Sequence, residues 1–581
     1  MGIPTTDSPS PSDRAPSEVI RPESTQPRSH GSLSARAVSA AIIALVALGS
    51  ALRLYSYVDN RSLWLDEAAL SYNILNRGFI ELIAPLDRLQ VAPLGFLWLE
   101  RAAVSVFGTS EYALRLVPLL AGLAALLLFA HIARRMLPGM ASVFALALFA
   151  LAIPLIYYSV ETKQYSLDVA VAIALFAVAL HARGHELTPT RTAVLGLAGA
   201  LAPWFSQPSV FAMGGVGLYL LLPLLYAPGS ERRRELRTLG VIFALWAASG
   251  AAAILHSLTN IGDSDLADLG HFWESAFLPL SDGPVESARW LGGTTMEIFG
   301  WLIPGSATAI VLALFVLGAI VLVRRRDGTS TLLLAPLGFA LLASALRLYP
   351  LTYRLALFVV PSLFLTAGAG AGWLLALLGS RASSAPARHG RTRLHPALLV
   401  RYVVGAGGVG AMAAVLVAST LALSELPFQR EELRPVVSYL AQHRQPGDVI
   451  YVYYGAGQAF EYYAARAGIP RTAYQLGRCS RARWQDYLDD IDALRGKSRV
   501  WLVLAHPFLK GGIREDSLFV DYFAHVGRRI DATSAVGALA QLYDLSGAAD
   551  GTTNAARSSF TVPTTSDFSA ATRGCIGVVA D

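Results

Sequence analysis

Charge is what this sequence has least of. Asp, Glu, Lys and Arg make up 15% of its 581 residues, where soluble domains carry about a quarter. Hydrophobic residues reach 54% and mean hydropathy is +0.47. No soluble core needs so many, so the composition is that of a membrane protein. Cysteine is nearly absent: Cys479 and Cys575 are the two in the chain, and CxxC and HExxH spacings do not occur, so no motif marks a metal site. A Walker loop, a GxSxG elbow and internal repeats are missing as well. Net charge is +6, but the arginines cluster in short loops between apolar runs. That pattern is a topology signal and argues against nucleic acid as a partner.

What is there is a series of apolar runs of bilayer length, about 17–25 residues. They fall near 38–54, 112–133, 139–158, 164–182, 192–206, 209–227, 238–257, 298–323, 331–347, 352–379 and 398–422. The first has no small-residue cleavage site behind it and reads as a retained helix. A further run, 93–107, is shorter and carries Glu100 and Arg101 at its middle. The positive-inside rule decides its role. Basic loops at 134–135, 183–191, 232–237, 324–326 and 381–401 are each separated by two runs, so all lie on the cytoplasmic side. Loop 258–295 holds six acids against Arg289 and belongs outside. With a cytoplasmic leader, 93–107 then cannot cross fully and reads as an interfacial or re-entrant helix. The expectation is eleven spans in the cell (plasma or inner) membrane, amino end inside and carboxyl end outside.

This topology gathers three polar clusters on the outer face. The first is Asp66–Glu67 in "RSLWLDEAALSYN", from Arg61 to Asn73. The second is "ETKQYSLD", where helical spacing would put Glu161, Tyr165 and Asp168 on one face beside Lys163. The third is "RLYPLTYRLALFVVP", in which Arg347 and Arg354 flank Tyr349 and Tyr353. An arginine at the membrane edge can bind phosphate oxygens with parallel charge-assisted hydrogen bonds while its stem stays in hydrocarbon. A nearby carboxylate can take the proton of an attacking hydroxyl, and Lys163 can add a cation to a departing phosphate. Together these suit displacement of a lipid phosphate from a sugar carbon. The plainer readings stay open here: Arg354 as a snorkelling anchor, Asp66–Glu67 as acids at a helix start, and Glu161, Lys163 and Asp168 as internal ion pairs.

The stretches "LWLDEAALSYN", "APLGFLWLERAAVSVFGTSEYALRLVPLLAGL", "YYSVETKQYSLDVAVA" and "YPLTYRLALFVVP" resemble, in order, the GT-C glycosyltransferases. The branch is the PMT/ArnT-like one, which uses polyprenyl-phosphate sugars. The resemblance covers most of residues 38–379. It implies a polytopic α-helical membrane protein with interfacial helices in the first outer loop. It also implies that Asp66 activates the acceptor, that Glu67 positions Asp66, that Asp168 lies near the donor and that Arg354 binds the donor phosphate. Relatives carry His or Lys where this chain has "QVAPLGF", and Arg88 or Lys163 is expected to substitute. Membrane lipids and a polyprenyl-phosphate-linked sugar are the expected partners, and the acceptor is an open protein, lipid or glycan. A divalent metal is left open, because paired acids can bind a cation but no ligand set is visible.

Two glycine stretches are set aside. "GAGGVG" at 405–410 matches GxGxxG, but a dinucleotide site needs a strand before it and a soluble helix after it. Inside an apolar run, this stretch and "AGAGAG" at 367–372 are expected to let helices approach closely.

The domain reading is a disordered leader over 1–35, the membrane domain over 36–424, a small outer α/β domain over 425–547, and a Ser/Thr/Ala-rich tail over 548–581. In the α/β domain, helices are expected near 430–443, 456–467, 481–494 and 515–526, with strands "VIYVYY", "RVWLVLAH" and 538–544 in a parallel sheet. No motif there assigns chemistry, so it is either a structural cap or a surface for the acceptor or a partner. Cys479 and Cys575 can pair or remain free. A transferase and a transporter or flippase of lipid-linked sugars are both carried forward. The scarcity of mid-span charges favours the transferase.

Overall fold

The computed structural model describes residues 30–548 apart from 184–187, 227, 260–269, 271, 380–395, 482 and 511–512. The leader before His30, the acidic centre of loop 258–295, most of loop 381–397 and the tail after 548 lie outside the described residues. In hydrocarbon every backbone N–H and C=O must be satisfied within the segment, and all eleven apolar runs are indeed helical. Seven helices are long and apolar enough to cross a membrane among the described residues, and eight if a broken pair counts as one span. The chain is a polytopic α-helical membrane protein. The remaining expected runs form three shorter helices, Pro189–Phe205, Ser209–Leu221 and Thr329–Ala345.

The elements around the first loop run in order as α1 (His30–Asp59), α2 (Leu65–Asn76), α3 (Leu94–Phe107), α4 (Glu111–Leu114), α5 (Leu116–Met136), α6 (Gly139–Leu151), α7 (Ile153–Tyr157) and α8 (Tyr165–Ala182). Between α6 and α7 the axis bends by 57°. Ala152 is extended there, and Pro154 stands in the first turn of α7, where its missing N–H costs nothing. Arg53 of α1 is 1% exposed and donates to the carbonyls of Gly49 (2.9 Å) and Ala150 (3.4 Å). It thereby supplies a cation to the carbonyl end of α6 at the break. The run expected at 298–323 is divided. Helix Pro284–Leu302 stops before Pro304–Gly305, with Gly305 at φ +75°, and helix Ala307–Arg325 starts after it.

Both glycine stretches serve packing. A Cβ on Gly370 would collide with the Leu314 carbonyl and one on Gly318 with the Thr366 carbonyl, while Gly405 and Gly408 lie against Leu374 and Leu378. The "GAGGVG" stretch is inside helix Pro396–Ala422. Close backbone approach is therefore what those glycines permit.

The C-terminal region contains β1 (Val449–Val452), β2 (Tyr474–Leu476), β3 (Val500–Ala505), β4 (Leu509–Lys510), β5 (Ile513–Arg514), β6 (Arg528–Ala535) and β7 (Ala538–Asp544). The main sheet has the order β2-β1-β3-β7-β6. It is parallel at β2-β1-β3 and antiparallel at β3-β7-β6, so the all-parallel expectation is corrected for half the sheet. Central β3 is buried along its whole length. Val500, Leu502 and Leu504 face the helices Gln485–Asp492 and Glu515–Val526, and Trp501, Val503 and Ala505 face the other way. That second face shares a core with helices Leu433–His443 and Gly457–Arg466 and also with the first loop, through Leu63, Ile74, Phe96 and Leu114. Helix α3 packs inside this assembly, with Glu100 fully buried and Arg101 donating to the carbonyls of Ile74 (3.0 Å) and Leu75 (3.2 Å). Cys479 is disulfide-bonded, and Cys575 lies outside the described residues.

Gly370→Val should drive the Leu314 and Gly370 backbones apart. Overpacking of this kind costs about 1–3 kcal/mol, and the expected result is a lower Tm in detergent. Gly240→Ala, on an open helix surface, should leave Tm unchanged or slightly raised.

Candidate functional site

Asn60, at φ +49°, turns the chain out of α1, and α2 begins five residues later with Asp66 and Glu67 in its first turn. Adjacent helical residues project about 100° apart, so the two carboxylates face different surroundings. Glu67 points inward and is 0% exposed. Arg115 grips it as a fork, Nε to Oε1 at 2.9 Å and Nη2 to Oε2 at 2.8 Å, and the Thr162 N–H donates to Oε1 at 2.9 Å. Asp66 points to the opening. Its Oδ2 is 2.8 Å from Arg354 Nη1, and the two side chains keep 19% and 20% of their surface. Solvent can reach Asp66 and cannot reach Glu67.

The charges order the acids. Burial alone would raise Asp66, but Lys163, Arg354 and His506 outweigh it and hold the carboxyl down at about 2. Burial would likewise raise Glu67, and Arg115 and Arg61 pull it below the ordinary value. Glu161 goes the other way. Burial, then the charge of Glu67, push it up to about 7 against the pull of Arg61, Arg354 and Arg430. Burial lowers Lys163, with Asp66 opposing, and its Nζ donates to Gln90 Oε1 at 2.6 Å. Arg354 rests between the rings of Trp64 (5.6 Å) and Tyr165 (5.8 Å).

The structure therefore brings Asp66, Glu67, Glu161, Lys163, Tyr165 and Arg354 together. It does not do so by the expected helical face. Glu161 is in extended backbone and α8 begins at Tyr165, yet the loop still carries Glu161 to 3.6 Å from Arg61. Asp168 lies a turn beyond Tyr165, buried, with Oδ1 making no hydrogen bond among the described residues. Tyr349 donates to the Leu355 carbonyl (2.8 Å) and sets its ring against Phe211 and Phe358. Tyr353, at φ +32°, is 46% exposed with its ring edge-on to Trp301. Arg88 is engaged elsewhere, 2.5 Å from Glu461 and over the Tyr72 ring, so it ties the first loop to the C-terminal region.

Sequence reasoning missed the partners. Arg61 and Arg115 stood inside the quoted stretches with no signal beyond their charge. Glu432 and Tyr463 were out of reach entirely. Both Glu432 oxygens accept from the Ser62 N–H at 3.1 Å and one accepts from its hydroxyl at 2.9 Å, while the Leu63 N–H donates to the Tyr463 hydroxyl at 2.7 Å. On the other side, Arg115 donates to the carbonyls of Arg61 (2.6 Å) and Ser62 (3.3 Å). The loop is held by its amides from the C-terminal region and by its carbonyls from the start of α5.

No family profile and no curated protein matches the chain. Solved structures do. It is similar to ArnT from Cupriavidus metallidurans bound to undecaprenyl phosphate, at 14% identity and TM-score 0.44, covering 86% of this chain and 97% of that one. The apo form of ArnT gives 14% and 0.46, with 87% and 98% covered. An oligosaccharyltransferase from Archaeoglobus fulgidus, in complex with Zn and sulfate, gives 12% and 0.41, with 73% and 61% covered.

A divalent metal does not fit this donor set. Asp66 and Glu67 diverge onto different arginines, and no group of three or more His, Cys, Asp or Glu side chains suits a metal among the described residues.

Removing one partner of a buried ion pair costs about 3–5 kcal/mol. Glu67→Ala should lose stability of that order, and Asp66→Asn far less, measured as thermal unfolding in detergent. Equal Tm values for the two variants would show that the Glu67 pair does not hold the fold. Glu161 also sets a pH slope. Its carboxyl titrates near 4.5 when unfolded and about 7 when folded, so stability is fully present below pH 4.5 and declines as pH rises to about 7. Glu161→Gln should remove that decline, so the Tm of the variant should gain on the parent across this window.

Proposed function

We propose that the chain is an integral-membrane glycosyltransferase that moves a sugar from a polyprenyl-phosphate donor to an acceptor hydroxyl on the extracytoplasmic face. The observation that carries the reading is the half-open Asp66–Arg354 pair at 2.8 Å, with Lys163 beside it and a buried polar network behind it. Arg354 offers the fork that phosphate oxygens need. Asp66 offers the solvent-reachable carboxylate that an attacking hydroxyl needs.

The steps follow from those atoms. The donor phosphate takes Arg354 into its own ion pair and loosens its hold on Asp66. A carboxylate held near 2 by its cations is a weak base, so this release raises its proton affinity as the acceptor arrives. The acceptor oxygen attacks the anomeric carbon, its proton passes to Asp66, and the bond from that carbon to the phosphate oxygen breaks. The electron pair leaves with the polyprenyl phosphate, next to Arg354. Glu67 supports Asp66 from behind in this reading. It anchors the first turn of α2, from which Asp66 projects.

A transporter or flippase would need charges strung through the midplane. Among the described residues the buried charged groups instead concentrate at the loop ends, and Arg53 is occupied with helix carbonyls. The topology with the amino end cytoplasmic and the C-terminal region outside belongs to the same proposal.

Asp66→Asn keeps size and polarity but removes the basic oxygen. It should lose about 10²–10⁴-fold in turnover with donor binding retained, and near-parental turnover would move the base elsewhere, Asp168 first. Arg354→Ala should weaken donor binding by about 2–5 kcal/mol, the range for breaking a buried charge pair, and Lys should restore only part of it. An unchanged donor affinity in nanodiscs would return Arg354 to a membrane anchor. For topology, an impermeant thiol reagent on intact cells should label a cysteine placed at Ser281 and leave one at Ser384 untouched; the reverse pattern would invert the orientation.

A further inference from the structure

The chain leaving the last membrane helix approaches the same opening. Phe428 sets its ring edge-on to Tyr157 at 5.4 Å, Glu431 meets His506 at 2.5 Å, and Glu432 holds Ser62. Between these fixed points Arg430 lays its guanidinium 4.2 Å over the Trp64 ring, the ring that also flanks Arg354. Arg430 is exposed, and among the described residues its side chain makes no hydrogen bond or ion pair. Every other cation here has a partner: Arg61 and Arg115 with Glu67, Lys163 with Gln90, and Arg354 with Asp66.

The local charge is unbalanced. Five cations, Arg61, Arg115, Lys163, Arg354 and Arg430, face four carboxyl groups, Asp66, Glu67, Glu161 and Glu431, the last of which also meets His506. Even with all four acids ionised and His506 neutral, one positive charge remains. A phosphodiester donor carries one negative charge. The phosphomonoester released when the carbon–oxygen bond breaks carries about 1.5 to 2 at neutral pH, and preorganised cations act most on charge that develops during reaction.

We propose that Arg430, supplied by the segment entering the C-terminal region, is a second phosphate-binding arginine that receives the charge growing on the departing phosphate beside Arg354. The inference rests on the transferase reading and assigns the C-terminal region a part in the site. The acceptor proton still goes to Asp66, and the electron pair of the broken bond goes to the phosphate oxygen that Arg430 meets.

The full chain in nanodiscs is titrated with two probes, a polyprenyl phosphate and its methyl diester, which differ by the second negative charge. A hydrogen bond to a charged group corresponds to roughly ten- to a hundredfold in affinity. Arg430→Ala and Arg430→Gln should both lose that factor for the monoester and much less for the diester, at unchanged Tm. Arg354→Ala should weaken both probes. If Arg354→Ala weakens both while the Arg430 variants weaken neither, the inference about Arg430 fails and the transferase reading stands. If Arg354→Ala weakens neither, the phosphate reading itself fails. An Arg430 effect confined to the KM of the acceptor would place its ligand on the acceptor and overturn the proposal.

Discussion

The buried fork between Arg115 and Glu67 is the constraint on which the site depends. Taking two charges out of water costs several kcal/mol for each ion unless nearly every donor and acceptor finds a partner. Here they do. Glu67 receives two bonds from Arg115 and one from Thr162, and Arg115 spends its remaining N–H groups on the carbonyls of Arg61 and Ser62. The same few atoms therefore fix the loop after α1, the first turn of α2, the start of α5 and the link into α8. Glu161, on the other side of this network, has Arg61 at 3.6 Å, but neither of its oxygens has a hydrogen bond among the described residues. One buried acid is locked in its charged form and its neighbour titrates near neutrality. Environment separates the two, as it separates pairs of acids in many active sites.

A helix turning about 100° per residue divides the labour of two adjacent carboxylates. Glu67 goes to the scaffold and Asp66 to the opening, and neither could take the other's place without rotating α2. The break between α6 and α7 is the second device of this kind. A straight helix would carry Tyr157, Tyr158 and Glu161 past the loop. The 57° bend, with Arg53 at the freed carbonyl end, returns them to it.

The apolar runs, the shortness of α3 and the packing glycines were legible because hydrophobic length and small-residue spacing are local properties. Asp66 and Arg354 were legible as charges at membrane edges. Their direct pairing was not, because it depends on how helices far apart in the chain meet. The helical face through Glu161 failed because a tight, extended loop replaces the first turn before Tyr165. Strand β6, "RRIDATSA", escaped notice because it is a polar edge strand with alternating exposure and no apolar run. It turns the far half of the sheet antiparallel. The roles of Glu432, Tyr463 and Arg430 had no local signal at all.

The contact between Ser62 and Glu432 closes a loop of 370 residues. During synthesis the first loop emerges among the earliest segments, and the residues that hold its amides emerge among the last. The fork of Glu67 and Arg115, 48 residues apart, can form while most of the chain is still unmade. Ser62 and Leu63 must wait. A chain terminated just after Glu425 would retain every apolar helix but would lack Glu432 and Tyr463, the partners of the Ser62 and Leu63 amides. Translation to the C-terminal sheet is thus the final step in building the site.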